Sequence, residues 1–224
     1  MAGDGARVLA ADRDADGLDA LARRVPGVEA LVCDLADLDA VDDLPREVDV
    51  LVNNAGVQHV APLHEFPPER FSLILRLMLE SPFRLVRHVL PHMRERGWGR
   101  IVNVSSAHGV RASPFKGAYV AAKHGLEGLS KVAALEGAAH GITSNCVSPG
   151  YVRTPLVDKQ LDDQAAAHGI PRERVLAEVL LESAAVKRLV EPEEVAELVA
   201  FLCGPAAASV TGASYTMDGG WTAH

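Results

Sequence analysis

Short, continuously apolar runs alternate along this chain with stretches whose apolar residues recur at helical spacing. The first run, residues 7–11, is closed by Asp12 and followed by a helical pattern through Leu18, Leu21 and Ala22. Residues 28–33, closed by Asp34, form the second. A short helix near residues 38–44 leads to the third, residues 48–52, which ends in Asn53-Asn54-Ala55-Gly56. Pro67-Pro68 is predicted to open a long amphipathic helix, interrupted around Ser81-Pro82 and stopped by Gly97-Trp98-Gly99. Residues 101–104 read as strand, and a helix then runs to about residue 139. The strand at 142–147 stops at Ser148-Pro149-Gly150. A helical excursion over 155–188 turns at Gly169-Ile170-Pro171, and a helix over 192–202 and a strand over 214–217 complete the pattern. Uniformly apolar runs between helices are the mark of parallel strands covered on both faces. The expected fold is α/β, a doubly wound parallel sheet with helices on both faces, forming one domain over residues 1–224 because no repeat, linker or low-complexity tract divides it.

In such a sheet ligands sit beyond the carboxyl ends of the strands. Asp12, Asp34, Asn54, Ser106 and Pro149-Gly150 all fall at predicted strand ends, so they are expected to share one site. The stretch from Asn103 to Lys123 carries the candidate chemistry. Tyr119 and Lys123 are spaced i,i+4 and therefore lie on one helix face, where an ammonium favours the phenolate. Ser106, on the preceding loop, could hydrogen-bond the same substrate oxygen. Together these groups can move a proton on or off an alcohol.

Composition narrows the partners. Hydrophobic residues make up 48% and charged residues 23%, ordinary for a soluble globular protein. A net charge of −8 without a long basic run argues against nucleic acid as a partner. Cys33, Cys146 and Cys203 are far apart in apolar stretches and read as buried free thiols of a reduced compartment. No run approaches the ~20 apolar residues of a membrane span, and the start has no signal-peptide layout, so a cytoplasmic setting is expected. His88 and His92 share a helix face, but Pro91 intervenes and no acidic third ligand is near; a surface helix is the expected reading, and no metal site. The stripe Leu73, Leu77, Leu85 and Val89 is expected to be core or interface.

Over nearly its whole length the chain resembles the short-chain dehydrogenase/reductase family. The motifs that carry the likeness are Asn53-Asn54-Ala55-Gly56, Ser106, Tyr119-x-x-x-Lys123, Pro149-Gly150-x-x-x-Thr154 and Asp218-Gly219-Gly220, in the family's order and spacing. Within it the likeness is strongest to the bacterial D-3-hydroxybutyrate dehydrogenase branch, through Gln58-His59, Ser106-Ala107-His108-Gly109, Ala118 to His124, and Thr154-Pro155-Leu156. The resemblance implies a hydride passing between substrate carbon and NAD while Tyr119 handles the hydroxyl proton. Lys123 would lower the pKa of Tyr119 and hold the nicotinamide ribose, and Ser106 would orient the substrate oxygen. Gln58, His108 and Lys116 would bind a small hydroxy or oxo acid, with Gln160 closing over it. Tyr151 stands where that branch usually has tryptophan. Asp12, Asp34, Leu35, Asn54, Ala55, Gly56, Pro149, Gly150, Val152 and Thr154 would line the cofactor. Asp12 favours NAD over NADP, whose phosphate an acid repels, although Arg13 stands beside it. A dimer formed through the long helix and the Tyr119 helix is implied as well, or a tetramer that also uses the last helix and strand.

Two departures qualify this. The family's glycine-rich turn, which holds the pyrophosphate at a helix N-terminus, is absent: Gly3-Asp4-Gly5 precedes a strand instead of following one. By the resemblance, residues 7–11 are the family's second strand, and the missing first strand would be central. Three accounts stand open: an N-terminally shortened chain, a shift of residues 7–11 into the central slot, or a partner chain filling it. Secondly, the family's catalytic asparagine aligns with Met78, which cannot take its hydrogen-bonding role in a proton relay. Another alcohol substrate of the family, or a non-catalytic member acting as a binding or assembly partner, are the alternatives.

Overall fold

The computed structural model describes residues 1–223, apart from the side chains of Asp4, Lys159, Gln160 and Ala167. Strand β1 (Val8–Asp12) leads through α1 (Ala15–Arg24) to β2 (Val28–Val32), and α2 (Leu38–Asp42) leads to β3 (Val50–Asn53). Both helices start where an aspartate can satisfy free backbone donors. Asp14 accepts from the Gly17 N–H, and Asp37 from those of Asp39 and Ala40.

Helix α3 (Pro68–Leu75) passes through a π-helical turn, Arg76–Glu80, into α4 (Ser81–Arg96). The interruption thus falls one turn before the predicted Ser81-Pro82. The N–H of Ser81 reaches back five residues to the Arg76 carbonyl. Pro82 has no N–H to give the next carbonyl, and the wider turn absorbs that loss while the helix continues. Gly97, at φ 65°, ends α4 in the left-handed conformation.

Strand β4 (Gly99–Val104) is followed by α5 (Gly117–Gly137) and β5 (Ile142–Pro149), the latter buried throughout. Then come α6 (Pro155–His168), α7 (Arg172–Val175) with a π-helical turn at Leu176–Leu180, α8 (Pro192–Cys203) and β6 (Ser214–Met217). The excursion after β5 turns at Gly169 as predicted, but its helical part ends at Leu180, short of residue 188. Beyond it the N–H groups of Ala185 and Val186 both donate to the Gly219 carbonyl, strapping the segment to the end of β6.

Strands β3, β4, β5 and β6 form one parallel sheet in that order, and β1 and β2 pair as a separate two-stranded parallel sheet. On one face of the larger sheet Val86, Val89 and Met93 of α4 and Ala133 of α5 pack on Ile101 and Ile142. On the other, Val199 and Leu202 of α8 cover Val102 and Val147. Helices on both faces are what the continuous apolar runs predicted. The shift of residues 7–11 into a central slot is overturned: β1 pairs with β2 alone, from Val8↔Val28 to Asp12↔Val32, and β3 with β4 alone. The short crossover through α1, which packs on β2, keeps β1 beside β2.

Candidate active site

Helix α5 places Tyr119 and Lys123 one turn apart, and the loop after β4 brings Ser106 to them. The Ser106 hydroxyl is hydrogen-bonded to Tyr119 and also accepts the His108 N–H at 3.1 Å. Lys123 is 4% exposed; its Nζ donates to the Val104 carbonyl at 2.6 Å and lies 5.7 Å from the Tyr119 ring centroid. Burial raises the Tyr119 pKa, and the Ser106 bond opposes that rise. Burial also lowers Lys123 to about 8, and the nearby Glu127 carboxylate opposes that fall.

These groups open on a cavity of about 670 Å³. Its walls include Gln58, His108, Lys116 and Tyr151, four of the five residues expected at the substrate; the side chain of the fifth, Gln160, lies outside the described residues. Phe115, the one non-glycine residue at positive φ (68°) among those described, gives its carbonyl to the Ala61 N–H. This sparsely populated conformation, next to Lys116, is a local cost carried at the site. Lys116 is 2% exposed, and its Nζ donates to the Tyr151 hydroxyl at 2.9 Å and lies 4.8 Å from that ring's centroid. Burial brings it down to about 8. The His108 ring shares a 3.0 Å hydrogen bond with the Ser113 hydroxyl through Nε2. Burial, then Lys116, then His124 push it down to about 3, so it is a neutral imidazole at physiological pH.

The residues expected at a dinucleotide line the same cavity. Asp12 stands at the end of β1, and Asp34 and Leu35 follow β2. Asn54, Ala55 and Gly56 follow β3, while Pro149, Gly150, Val152 and Thr154 lie at and beyond the end of β5. Asp12 accepts the Asp14 N–H at 3.0 Å and Asp34 the Ala36 N–H at 2.9 Å, so each carboxylate is held by its own turn. A Cβ on Gly150 would meet the Asp218 Cα at 3.0 Å, a tight contact that the backbone of Asp218 would have to relieve. These walls fit the two ends of a dinucleotide. Among the described residues no helix opens from a glycine-rich turn into the cavity, so the middle of such a ligand has no N–H cradle of that kind.

Met78 also lines the cavity, from the π-helical turn; it is 1% exposed and packs with Ile74, Ala118, Ala122 and Tyr119. Of the stripe expected to be core or interface, Val89 lies in the core and Leu77 packs on the cluster around Ile74, while Leu73 and Leu77 also border the cavity. Sequence reasoning did not assign Trp221 to the site, yet its ring lies 5.1 Å from that of His108 and it borders the cavity. Its position directly after Asp218-Gly219-Gly220 was the available signal. Leu180, Leu181 and Ala184, from the excursion, were also missed because their spacing reads as ordinary helix core. Cys33, Cys146 and Cys203 are free thiols, with Cys203 only half-buried. His88 bonds the Leu44 carbonyl and His92 the Asp49 carboxylate. No group of three His, Cys, Asp or Glu side chains among the described residues is placed to hold a metal ion.

A serine–tyrosine–lysine set at the strand ends of a doubly wound α/β fold defines an alcohol–carbonyl oxidoreductase site. Residues 1–222 match the family described as enoyl-(acyl carrier protein) reductase. A D-beta-hydroxybutyrate dehydrogenase of Rhizobium meliloti is 50% identical over 85% of this chain and 74% of its own length. One from Cupriavidus necator is also 50% identical, over 78% of this chain and 68% of its own. An actinorhodin polyketide ketoreductase with NADPH superposes at TM-score 0.93 and 32% identity, covering 100% of this chain and 90% of that one. A 4-hydroxyisoleucine dehydrogenase complexed with NADH superposes at 0.86 and 27% identity, covering 100% and 91%. The chain belongs to the short-chain dehydrogenase/reductase family.

Proposed function

We propose that the protein is an NAD-dependent oxidoreductase that interconverts D-3-hydroxybutyrate and acetoacetate. The observation that carries this reading is the Lys116 ammonium, almost fully buried in the wall that also holds Ser106, Tyr119 and Lys123. A short acid needs such a desolvated cation to bind a protein of net charge −8. The 50% identity to two D-beta-hydroxybutyrate dehydrogenases supports the same substrate.

In the oxidising direction the substrate carboxylate lies against Lys116, with neutral His108 and the Gln58 amide as further partners. Its hydroxyl lies between Ser106 and Tyr119. Ser106 holds the oxygen, and Tyr119, whose phenolate Lys123 stabilises, takes the proton and becomes a neutral phenol. The nicotinamide, when bound, supplies the hydride acceptor. Asp12 and Asp34 would hold its adenosine end, with Asn54, Ala55 and Gly56 on the adjoining wall. Pro149, Gly150, Val152 and Thr154 would hold the nicotinamide end, with Tyr119 and Lys123 on its ribose. Asp12 favours NAD because a carboxylate there repels a ribose phosphate. NADH appearance should follow mixing with NAD and D-3-hydroxybutyrate, with the L-enantiomer and NADP each at least about tenfold poorer. Absence of NADH with any short hydroxy acid would overturn the reading.

A second reading, a non-catalytic family member serving as a binding or assembly partner, is favoured by the divided sheet and by Met78. Calorimetry with NAD separates the two, since dinucleotide binding removes the second. We also infer a cytoplasmic homo-oligomer formed through α4 and α5, whose outer faces leave Phe83, Val132 and Leu135 exposed. Sedimentation at the monomer mass would contradict it.

A further inference from the structure

We propose that Glu127 is a positioning residue of the active site, acting through Lys123 to keep that side chain an ammonium. The proposal rests on the dehydrogenase reading, in which Lys123 must be charged. Tyr119, Lys123 and Glu127 follow one another at i,i+4 and i,i+8 on α5, so they form a line along a single helix face. Glu127 is buried, at 5% exposure, one turn beyond the lysine and outside the catalytic set described above. Its Oε1 accepts from the Ser148 hydroxyl at 2.8 Å and from the Ser214 hydroxyl at 3.0 Å, and the two hydroxyl oxygens lie 2.9 Å apart. Two hydroxyl donors from adjacent strands are the means by which a buried carboxylate is satisfied without a salt bridge.

The surroundings of Lys123 make this anion matter. Its Nζ is held by a neutral acceptor, the Val104 carbonyl, and among the described residues no carboxylate pairs with it directly. Cys146 on β5 is the other acidic group facing the line, but burial and Glu127 push its thiol up to about 12, so it is uncharged where the enzyme works. Ser105 and Gly109, on the loop after β4, close the third side without charge, and Ser130 continues the face of α5. Of the acidic groups facing Lys123, Glu127 is therefore the one that supplies negative charge. Without it, burial brings the lysine's proton off at a still lower pH, and less of Lys123 is ammonium where the enzyme works.

Glu127→Gln isolates the charge, because a glutamine oxygen can still accept from both serines. Lys123 is titrated by NMR in protein carrying 13Cε-lysine, without cofactor or substrate, and is assigned by the signal missing from Lys123→Arg. The expected result is a Lys123 midpoint about one pH unit lower in Glu127→Gln, with Glu127→Asp staying nearer the wild type. An unchanged midpoint in folded Glu127→Gln overturns the proposal. Ser148→Ala and Ser214→Ala, which leave the carboxylate in place, are expected to move the midpoint by no more than a few tenths. A full-unit fall in those variants would assign the effect to the hydroxyls and equally overturn it, even if Glu127→Gln does not fold. Because the titration needs no turnover, its outcome is independent of whether NAD and 3-hydroxybutyrate are the ligands.

Discussion

The ammonium of Lys116, nearly sealed from solvent, donates a 2.9 Å hydrogen bond to the phenolic oxygen of the partly buried Tyr151. The bond gives the lysine a neutral partner while no anion is bound. Tyr151→Phe removes that acceptor but keeps the ring. It is expected to lower stability by about 1–3 kcal/mol, read as a fall in urea midpoint at constant m-value. Lys116→Met removes the charge altogether. It is expected to raise stability near pH 7, by up to about 3 kcal/mol, and to weaken short-acid binding tenfold or more by calorimetry.

The same lysine sets a window in alkaline pH. Its pKa falls from the ordinary 10.5 to about 8 on folding. Below pH 8 both folded and unfolded chains hold the proton, and the full cost of burying it is present. Between 8 and 10.5 only the unfolded chain holds it, so stability climbs through that window. Lys123, also brought to about 8, adds to the same rise. Urea midpoints measured from pH 7 to 10 should climb in the wild type and climb less in Lys116→Met. Affinity for the substrate carboxylate should fall over the same range as the ammonium is lost.

His108 works at the other end. Its pKa drops from 6.5 to about 3 on folding. Above pH 6.5 both states are neutral and nothing is lost. Between 6.5 and 3 the unfolded chain gains a proton the folded one refuses, so stability falls as acid is added. His108→Gln should lose less stability than the wild type between pH 7 and 4, measured by urea titration at each pH.

Tyr119→Phe removes the proton acceptor and leaves the buried ring in place. Turnover should drop by about 10²- to 10⁴-fold, with the melting temperature changed little and NAD binding retained within a few-fold. A variant keeping more than a tenth of wild-type turnover would assign the proton to another group.

At Gly150 a methyl group would meet the backbone of Asp218 at 3.0 Å. Gly150→Ala should cost about 1–3 kcal/mol by overpacking and weaken dinucleotide binding measurably in calorimetry, because the ends of β5 and β6 must move apart.

Much of this site was legible before any coordinates. The i,i+4 spacing put Tyr119 and Lys123 on one face, and strand ends gathered Asp12, Asp34, Asn54, Ser106 and Gly150, because periodicity fixes both faces and ends. What pattern could not show was what stands behind a residue. Glu127 shares the helix face of Tyr119 and Lys123 by spacing, but its burial follows from the approach of Ser148 and Ser214, which spacing along one helix does not show. Trp221 likewise owes its place against His108 to a chain reversal after β6 that spacing does not encode. The π-helical turn at Arg76–Glu80 was placed one turn late because Pro82 acts on the carbonyls before it.

The division of the strands into a pair and a quartet also bears on how deuterium enters the molecule. In β1 the register with β2 directs the amides of Val8, Ala10 and Asp12 to their partner, leaving those of Leu9 and Ala11 with no ladder to join. In β3 the amides of Val50 and Val52 are in the same position. Labelling should therefore be quick at these four positions, although each belongs to a strand, and slow along β4 and β5, which are paired on both sides. A stretch of polypeptide that ran between β1 and β3 would give itself away by slowing all four at once.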